Sequence, residues 1–164
     1  MHVLGNLWFL HIFGDNVEDD FGHGPFLLFY LLAGGAAAAT QVLVDPQSQV
    51  PMVGASGAIA GVLAAYLVLF PRAKVVALVP IFIFIQFMQV PAVLFIALWF
   101  VLQFFSGLGS LAVGHGGGVA YWAHIGGFVA GLALVFLFRS RASSRPLAPP
   151  SVLPPSSKSY SRQA

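Results

Sequence analysis

The longest stretch of this chain without a charged side chain runs from Val75 to Phe138 and contains 64 residues. A helix that crosses the hydrocarbon layer of a bilayer needs about 20 apolar residues, so this stretch is too long for one span. Pro80 and Pro91 interrupt its first half, and a glycine-rich stretch, Ser106–Gly118, interrupts its middle. The stretch therefore predicts more than one membrane helix.

Charged side chains are scarce in the whole sequence. Of its 164 residues only 7% are charged and 59% are hydrophobic, and the mean hydropathy is +0.89. A soluble domain carries about 25% charged residues, so this composition places the chain in a membrane. The net charge of +2 gives no indication of nucleic-acid binding. The absence of cysteine excludes a disulfide framework and a thiolate metal site.

Charge-free segments and helix breakers together predict four membrane helices, near residues 26–43, 55–70, 91–106 and 120–138. A fifth apolar segment, Met1–Phe13, is only about 20 Å long as a helix, shorter than the roughly 30 Å hydrocarbon layer. Residues 76–88 fit either an interfacial segment or an early start to the third of these helices. We therefore expect an all-α, multi-pass helix bundle with about five transmembrane helices.

The basic residues predict the orientation of this bundle. They form two groups, one after the helix at 55–70 and one after the last helix, and two predicted spans separate the groups. Both groups then lie on one side of the membrane, which the positive-inside rule makes cytoplasmic. We expect the loops at Asp45 and Gly107–Gly118 to face outward and the acidic Asp15–Asp20 loop to face inward. A bacterial inner membrane or a plasma membrane fits this orientation.

The composition changes at the end of the last predicted helix. Residues 140–164 are rich in Ser, Pro and Arg and cannot bury an apolar face, which predicts a disordered cytoplasmic tail. The chain therefore divides into a membrane domain at residues 1–139 and a tail at 140–164.

Two polar motifs interrupt the first half of the chain, and polar groups at membrane depth are costly. His2 and Asn6 are four residues apart and present hydrogen-bond donors on one helix face. Gly54-Ala-Ser56-Gly57 places a serine at a helix start, where free backbone N–H groups favour developing negative charge. A serine nucleophile there would have anion-stabilising donors beside it. Each motif alone also fits ordinary packing between helices.

A third polar motif lies early in the last predicted helix. Gly127 and Gly131 leave one helix face without side-chain bulk, and His124 lies one turn from Gly127 on nearly the same face. Docking of this face on the small-residue face that carries Ser56 would place an imidazole beside a hydroxyl. A histidine that only hydrogen-bonds between helices is the alternative. The predicted topology brings all three motifs to one layer near the outer face.

Taken in order, the motifs H-x-x-x-N, G-x-S-G and A-H-x-x-G-x-x-x-G resemble those of the rhomboid family. The resemblance runs from His2 to Gly131, about four fifths of the chain. It implies an intramembrane serine endopeptidase that cleaves transmembrane protein substrates with a serine–histidine dyad and without an aspartate, a metal or a cofactor. In that family, sites favour small residues near the cut and helix-breaking residues beyond it.

The resemblance also implies a role for each matching residue. Ser56 would attack the scissile carbonyl, and His124 would take its proton and pass it to the leaving amine. The side chains of His2 and Asn6, with the backbone N–H of Ser56, would hold the oxyanion. The Gly107–Gly118 loop would cap the site. Close packing of the helices would rest on Gly54, Gly57, Gly61, Gly127 and Gly131.

The chain departs from the family pattern at two places. Family members often carry an aromatic residue four positions after the serine, where this chain has Ala60. We therefore expect Tyr121, Trp122 or packing alone to hold the imidazole ring. Family members also place a helix and a long outer loop before the H-x-x-x-N segment, so the chain matches the family core of six helices without the first.

Two other functions fit parts of the sequence. A catalytically inactive relative would bind membrane proteins without cleaving them, but such relatives usually lose the serine, the histidine or the glycines between them. A small transporter or channel would spread its polar residues through the membrane. Here the polar residues cluster in one layer, which favours the protease.

Overall fold

A computed structural model of the protein describes residues 2–48, 51–81, 84–113 and 119–139. The described chain is mostly helical, and the predicted helical membrane bundle is confirmed. In chain order its elements are α1 (His2–Phe9), a π-helical turn (Leu10–Gly14), α2 (Asp15–Phe21), α3 (His23–Val44), α4 (Ser56–Leu69), β1 (Lys74–Ile81), β2 (Phe84–Pro91), α5 (Ala92–Val113) and α6 (Tyr121–Phe138). Residues 140–164, the predicted tail, lie outside the described residues.

Within the described residues, α3, α5 and α6 are long and apolar enough to cross a membrane, and α4 is a shorter apolar helix. Helix α4 lies at the centre of the bundle, because every residue from Gly57 to Tyr66 is buried. Its 14 residues span about 21 Å, against roughly 30 Å for the hydrocarbon layer. If one end of α4 lies at a membrane surface, its other end therefore lies inside the hydrocarbon layer.

The first helical segment is longer than the sequence predicts. Helix α1, the π-helical turn and α2 follow one another without a break from His2 to Phe21. The prediction of a loop at Asp15–Asp20 is therefore wrong, because these residues belong to α2. Acidic side chains in the first turn of a helix are favoured by the helix dipole, which explains why this polar stretch is helical. Gly22, with φ of 86°, ends the segment.

Residues 76–81 and 84–88, the described part of the ambiguous segment, are strand and form no early part of α5. Strands β1 and β2 pair antiparallel, in a register that runs from Lys74 opposite Pro91 to Ile81 opposite Phe84. The sequence of β1 is rich in β-branched residues, which fit a pleated strand better than a helix. The hairpin is a β element that the all-α prediction did not include.

Helix α5 continues well beyond its predicted end at residue 106. The prediction of a loop over Gly107–Gly118 is wrong for its first half, because residues 107–113 are helical. Gly107 is buried and packs against α6, where an added Cβ would lie 3.4 Å from atoms of Tyr121 and Trp122. This glycine therefore allows close packing rather than ending the helix. Residues 114–118, the rest of the predicted cap, lie outside the described residues.

Aromatic side chains fill the core toward the C-terminal end of α4. Phe13 packs edge-on against Tyr66, with 5.0 Å between the ring centroids, and Phe29 packs edge-on against Phe21 and Phe138. Edge-to-face pairs of this kind stabilise a core beyond the area that they bury. They join the first helical segment, α3, α4 and α6 at the end of the bundle away from Ser56.

Candidate active site

Ser56 and His124 lie in hydrogen-bond contact. Ser56 is the first residue of α4, and His124 lies in the first turn of α6. Oγ of Ser56 lies 2.8 Å from Nε2 of His124, within hydrogen-bond distance. The imidazole is only 7% exposed, so little water competes for this hydrogen bond. A buried imidazole within hydrogen-bond distance of a serine hydroxyl is the geometry that a serine nucleophile and its general base require.

Glycines bring the backbones of α4 and α6 into direct contact. A Cβ added at Gly127 would collide with the carbonyl oxygen of Gly57, and one at Gly131 would lie 2.5 Å from Cα of Gly61. No larger residue fits either position of α6 unless the backbone of α4 moves. Such small-residue seams allow membrane helices to approach very closely. Here the seam sets the separation between Ser56 and His124.

Helix α3 lies against the same seam and fixes the start of α6. The backbone N–H of Ala123 donates to Oε1 of Gln41 across 3.2 Å. Because the first N–H groups of a helix have no partner within it, Gln41 caps α6 from another helix. Thr40 fills the space beside Gly126, where an added Cβ would collide with its side chain. These contacts hold the helical turn that carries His124.

Helix α5 supplies two side chains that contact His124. Nδ1 of His124 lies 2.7 Å from Oε1 of Gln103, so the ring is held at both of its nitrogens. The ring of Trp99 packs against the imidazole, with 5.7 Å between the centroids and 39° between the planes. Trp99 therefore supports the ring, a contact that sequence reasoning assigned to Tyr121, Trp122 or packing alone.

Neither Trp99 nor Gln103 was singled out from the sequence. A signal was present, because Gln103 is a polar residue within a charge-free apolar helix and follows Trp99 by four positions. Residues four apart share one face of a helix. A tryptophan and a glutamine on one face indicate a polar neighbour on another helix, although the pattern alone does not say which.

The side chains of His2 and Asn6 meet beside Gly54, two residues before Ser56. A Cβ added at Gly54 would lie 2.5 Å from Nε2 of His2 and 3.4 Å from Nδ2 of Asn6. Gly54 also has φ of 129°, a conformation that L side chains rarely adopt. Glycine is therefore required here both by the backbone and by the space that the two polar side chains occupy.

A cavity of about 460 Å³ lies beside the paired serine and histidine. Ser56 and His124 line it, together with His2, residues 51–55 and parts of α3 and α6. Its volume suits a short peptide segment rather than a single water molecule. The cavity therefore offers room for a scissile bond beside the Ser56 hydroxyl.

Comparison with known proteins identifies the family of this chain. A family model described as the Rhomboid domain matches residues 1–141. The chain is similar to "Rhomboid-like protein 11, chloroplastic" of Arabidopsis thaliana, with 44% identity over 63 residues. The matched segment covers 38% of this chain and 22% of that protein, and no solved structure matches significantly. Because the family model covers most of its length, the chain belongs to the rhomboid family.

Proposed function

We propose that this protein is an intramembrane serine endopeptidase that cleaves transmembrane segments of other membrane proteins. The observation that carries the proposal is the 2.8 Å hydrogen bond from Ser56 Oγ to His124 Nε2 beside a cavity in a membrane helix bundle. Membership of the rhomboid family supports it. Ser56 is the proposed nucleophile and His124 the proposed general base.

The reaction that we propose proceeds through an acyl-enzyme. Ser56 Oγ adds to the scissile carbonyl carbon while its proton moves to Nε2 of His124. The tetrahedral intermediate collapses, the peptide C–N bond breaks, and the leaving amine takes the proton from His124. A water molecule then attacks the acyl carbon while His124 takes its proton. The bond between the acyl carbon and Ser56 Oγ breaks, the proton passes from His124 to Oγ, and the carboxylic acid product leaves with Ser56 restored.

The negative charge that develops on the carbonyl oxygen requires hydrogen-bond donors. We propose that the His2 and Asn6 side chains and the Ser56 backbone N–H supply them. The two side chains already meet at Gly54, and the Ser56 N–H belongs to the first turn of α4, whose dipole favours an anion. Donors that are held in place before the charge develops stabilise such charge strongly.

Replacing Asn6 by alanine is expected to lower kcat by about 10²- to 10³-fold, the usual cost of losing one oxyanion donor. KM should change little, because the donor acts on charge that exists only in the transition state. Asn16→Ala is the matched control, since the Asn16 amide is exposed and donates to the Ile12 carbonyl away from the cavity. An equal loss in both variants would contradict the role of Asn6.

The proposed function is tested by cleavage in proteoliposomes. The protein is reconstituted with a panel of single-span peptides that carry a small residue followed by a helix-breaking residue at varied depth, and the products are identified by mass spectrometry. We expect one cut per accepted peptide, within or near the membrane segment, and none with Ser56→Ala. Ser106→Ala, a serine of α5 outside the cavity lining, should cut normally.

The same experiment separates cleavage from binding alone. An inactive relative would retain the peptides after co-purification and leave them whole, in the wild type as in Ser56→Ala. Capture of whole peptides by both proteins, without products, would overturn the protease and favour the binding function.

We infer that the two groups of basic residues lie on the cytoplasmic side, so that the cavity opens to the opposite face of a bacterial inner membrane or a plasma membrane. Because the chain has no cysteine, single cysteines can report this orientation cleanly. In intact cells a membrane-impermeant maleimide should label Asp45→Cys and not Arg72→Cys. The reverse pattern would overturn the inference.

A further inference from the structure

The amide oxygen of Gln103 lies on the side of the imidazole opposite Ser56. His124 Nδ1 is 2.7 Å from Gln103 Oε1, and His124 Nε2 is 2.8 Å from Ser56 Oγ. Three helices, α4, α5 and α6, each contribute one member of this continuous hydrogen-bonded chain. We propose that Gln103 is a positioning residue that fixes the tautomer and the orientation of His124. This inference rests on the proposed function.

The chemistry of the two partners determines where the proton lies. A neutral imidazole carries one N–H, and an amide oxygen can only accept a hydrogen bond. The proton is therefore on Nδ1 and donates to Gln103, which leaves the Nε2 lone pair facing the Ser56 hydroxyl. The other tautomer would place an N–H against Ser56 and a lone pair against the Gln103 oxygen, so the histidine could not act as base.

Gln103 and Trp99 restrain different motions of the same ring. The hydrogen bond at Nδ1 restrains rotation within the plane of the imidazole, and the tilted contact with Trp99 restrains movement out of that plane. Both residues come from α5, one helical turn apart, so α5 presents a preformed support for His124.

In a serine–histidine–aspartate triad the carboxylate holds the second ring nitrogen and also stabilises the imidazolium. Gln103 lies where it can hold the second ring nitrogen, as that carboxylate does, but its amide carries no negative charge. Burying a neutral amide in a low-dielectric bundle costs far less than burying a carboxylate. The titratable side chains that line the cavity with His124 are His2, Asp45 and Tyr121, and the described part of the chain places no carboxylate at Nδ1.

Magnetic resonance of the resting protein tests the tautomer without any substrate. With histidine labelled in ¹³C and ¹⁵N, the ring signals of His124, assigned by their absence in His124→Ala, should show a proton on Nδ1. In Gln103→Leu a large share should shift to the Nε2–H form. A proton on Nε2 in the wild type, or signals that Gln103→Leu leaves unchanged, would overturn the proposal even if the protein cleaves its substrates.

Kinetics provide a second readout. Gln103→Leu should lower kcat by about 10²-fold with KM nearly unchanged, because small misplacement of a catalytic group has an effect of that size. Gln89→Leu, an exposed glutamine of β2, is the matched control and should retain wild-type activity. Equal activity of Gln103→Leu and the wild type would contradict a positioning role.

The conservative variant separates positioning from packing. Gln103→Glu keeps the shape and an acceptor oxygen, so it should recover much of the activity that leucine loses. Its carboxylate favours the protonated imidazole, which cannot act as base, so the acid limb of the kcat/KM profile should move to higher pH. A glutamate variant as poor as the leucine variant at every pH would indicate a role in packing alone.

Failure of the proposed function can be told apart from failure of this inference. If neither the wild type nor any variant cleaves the peptides, the proposed function fails. The tautomer measured in the wild type and in Gln103→Leu still decides whether Gln103 positions His124.

Discussion

Replacing Ser56 or His124 by alanine is expected to lower kcat/KM for a cleaved transmembrane peptide by at least about 10⁴-fold. Without Ser56 there is no oxygen to form the acyl-enzyme, and without His124 the hydroxyl proton has no acceptor at 2.8 Å. The double variant should be no worse than either single variant, because residues that act as a unit are not additive. Initial rates in proteoliposomes at matched protein levels measure all three.

Two controls separate this effect from damage to the fold. Ser106→Ala removes another hydroxyl in the bundle, and His11→Ala removes an exposed imidazole that pairs with Asp15. Both should retain wild-type rates. If His124→Ala kept more than about a tenth of the activity, or if the double variant lost the product of the two single effects, the two residues would not form a catalytic pair.

Replacing Gly131 by alanine is expected to cause a large loss of stability. The added Cβ would lie 2.5 Å from Cα of Gly61 and would collide with the Gly61 carbonyl oxygen, so α4 and α6 must separate. Backbone atoms cannot rotate away as a side chain can, so we expect the free energy of unfolding to fall by about 1–3 kcal/mol or more. Denaturation in mixed detergent micelles, followed by circular dichroism, measures this change.

Gly35→Ala provides the matched control for the same chemical change. An added Cβ at Gly35 of α3 would meet nothing within 4 Å among the described residues. Because alanine favours the helix over glycine by roughly 0.5–1 kcal/mol, this variant should be neutral or slightly stabilised. Equal stability of Gly131→Ala and Gly35→Ala would contradict the close packing of α4 on α6.

The separation of the helices should also appear in activity. In Gly131→Ala the protein that remains folded should cleave more slowly, since the Ser56–His124 contact depends on the glycine seam. The rate per folded molecule, obtained from the folded fraction at each detergent composition, measures this effect. A normal rate per folded molecule would indicate that the seam stabilises the bundle without setting the geometry of the pair.

The membrane bundle could be predicted because a bilayer leaves few choices to an apolar chain. A single charge-free segment that crosses the hydrocarbon layer satisfies its own backbone hydrogen bonds as a helix, and the predicted helix near 120–138 corresponds to α6 at Tyr121–Phe138. The pairing of Ser56 with His124 followed from helix periodicity, since glycines every four residues mark the face that packs most closely. Both inferences combine a local sequence pattern with the constraint that the bilayer places on backbone hydrogen bonding.

The elements that differ from the prediction depend on long-range contacts. Gly107 suggests a break in α5 when read locally, but in the structure it is the point where α5 packs against α6. Proline and β-branched residues at 74–91 are compatible with several interfacial conformations, and pairing between the two strands selects the hairpin. Gln103 and Trp99 belong to the site only because α5 lies beside α6, which no motif on α5 itself indicates.

Activation of Ser56 as a nucleophile by His124 is the central step of the proposed mechanism. A fluorophosphonate probe tests this directly, because it reacts with an activated serine and leaves a stable phosphoryl adduct at the residue that attacked. Mass spectrometry of the labelled protein from proteoliposomes should place the adduct on Ser56, with labelling lost in His124→Ala and kept in His11→Ala. An adduct on another residue, no adduct in the wild type, or undiminished labelling of Ser56 in His124→Ala would contradict the account.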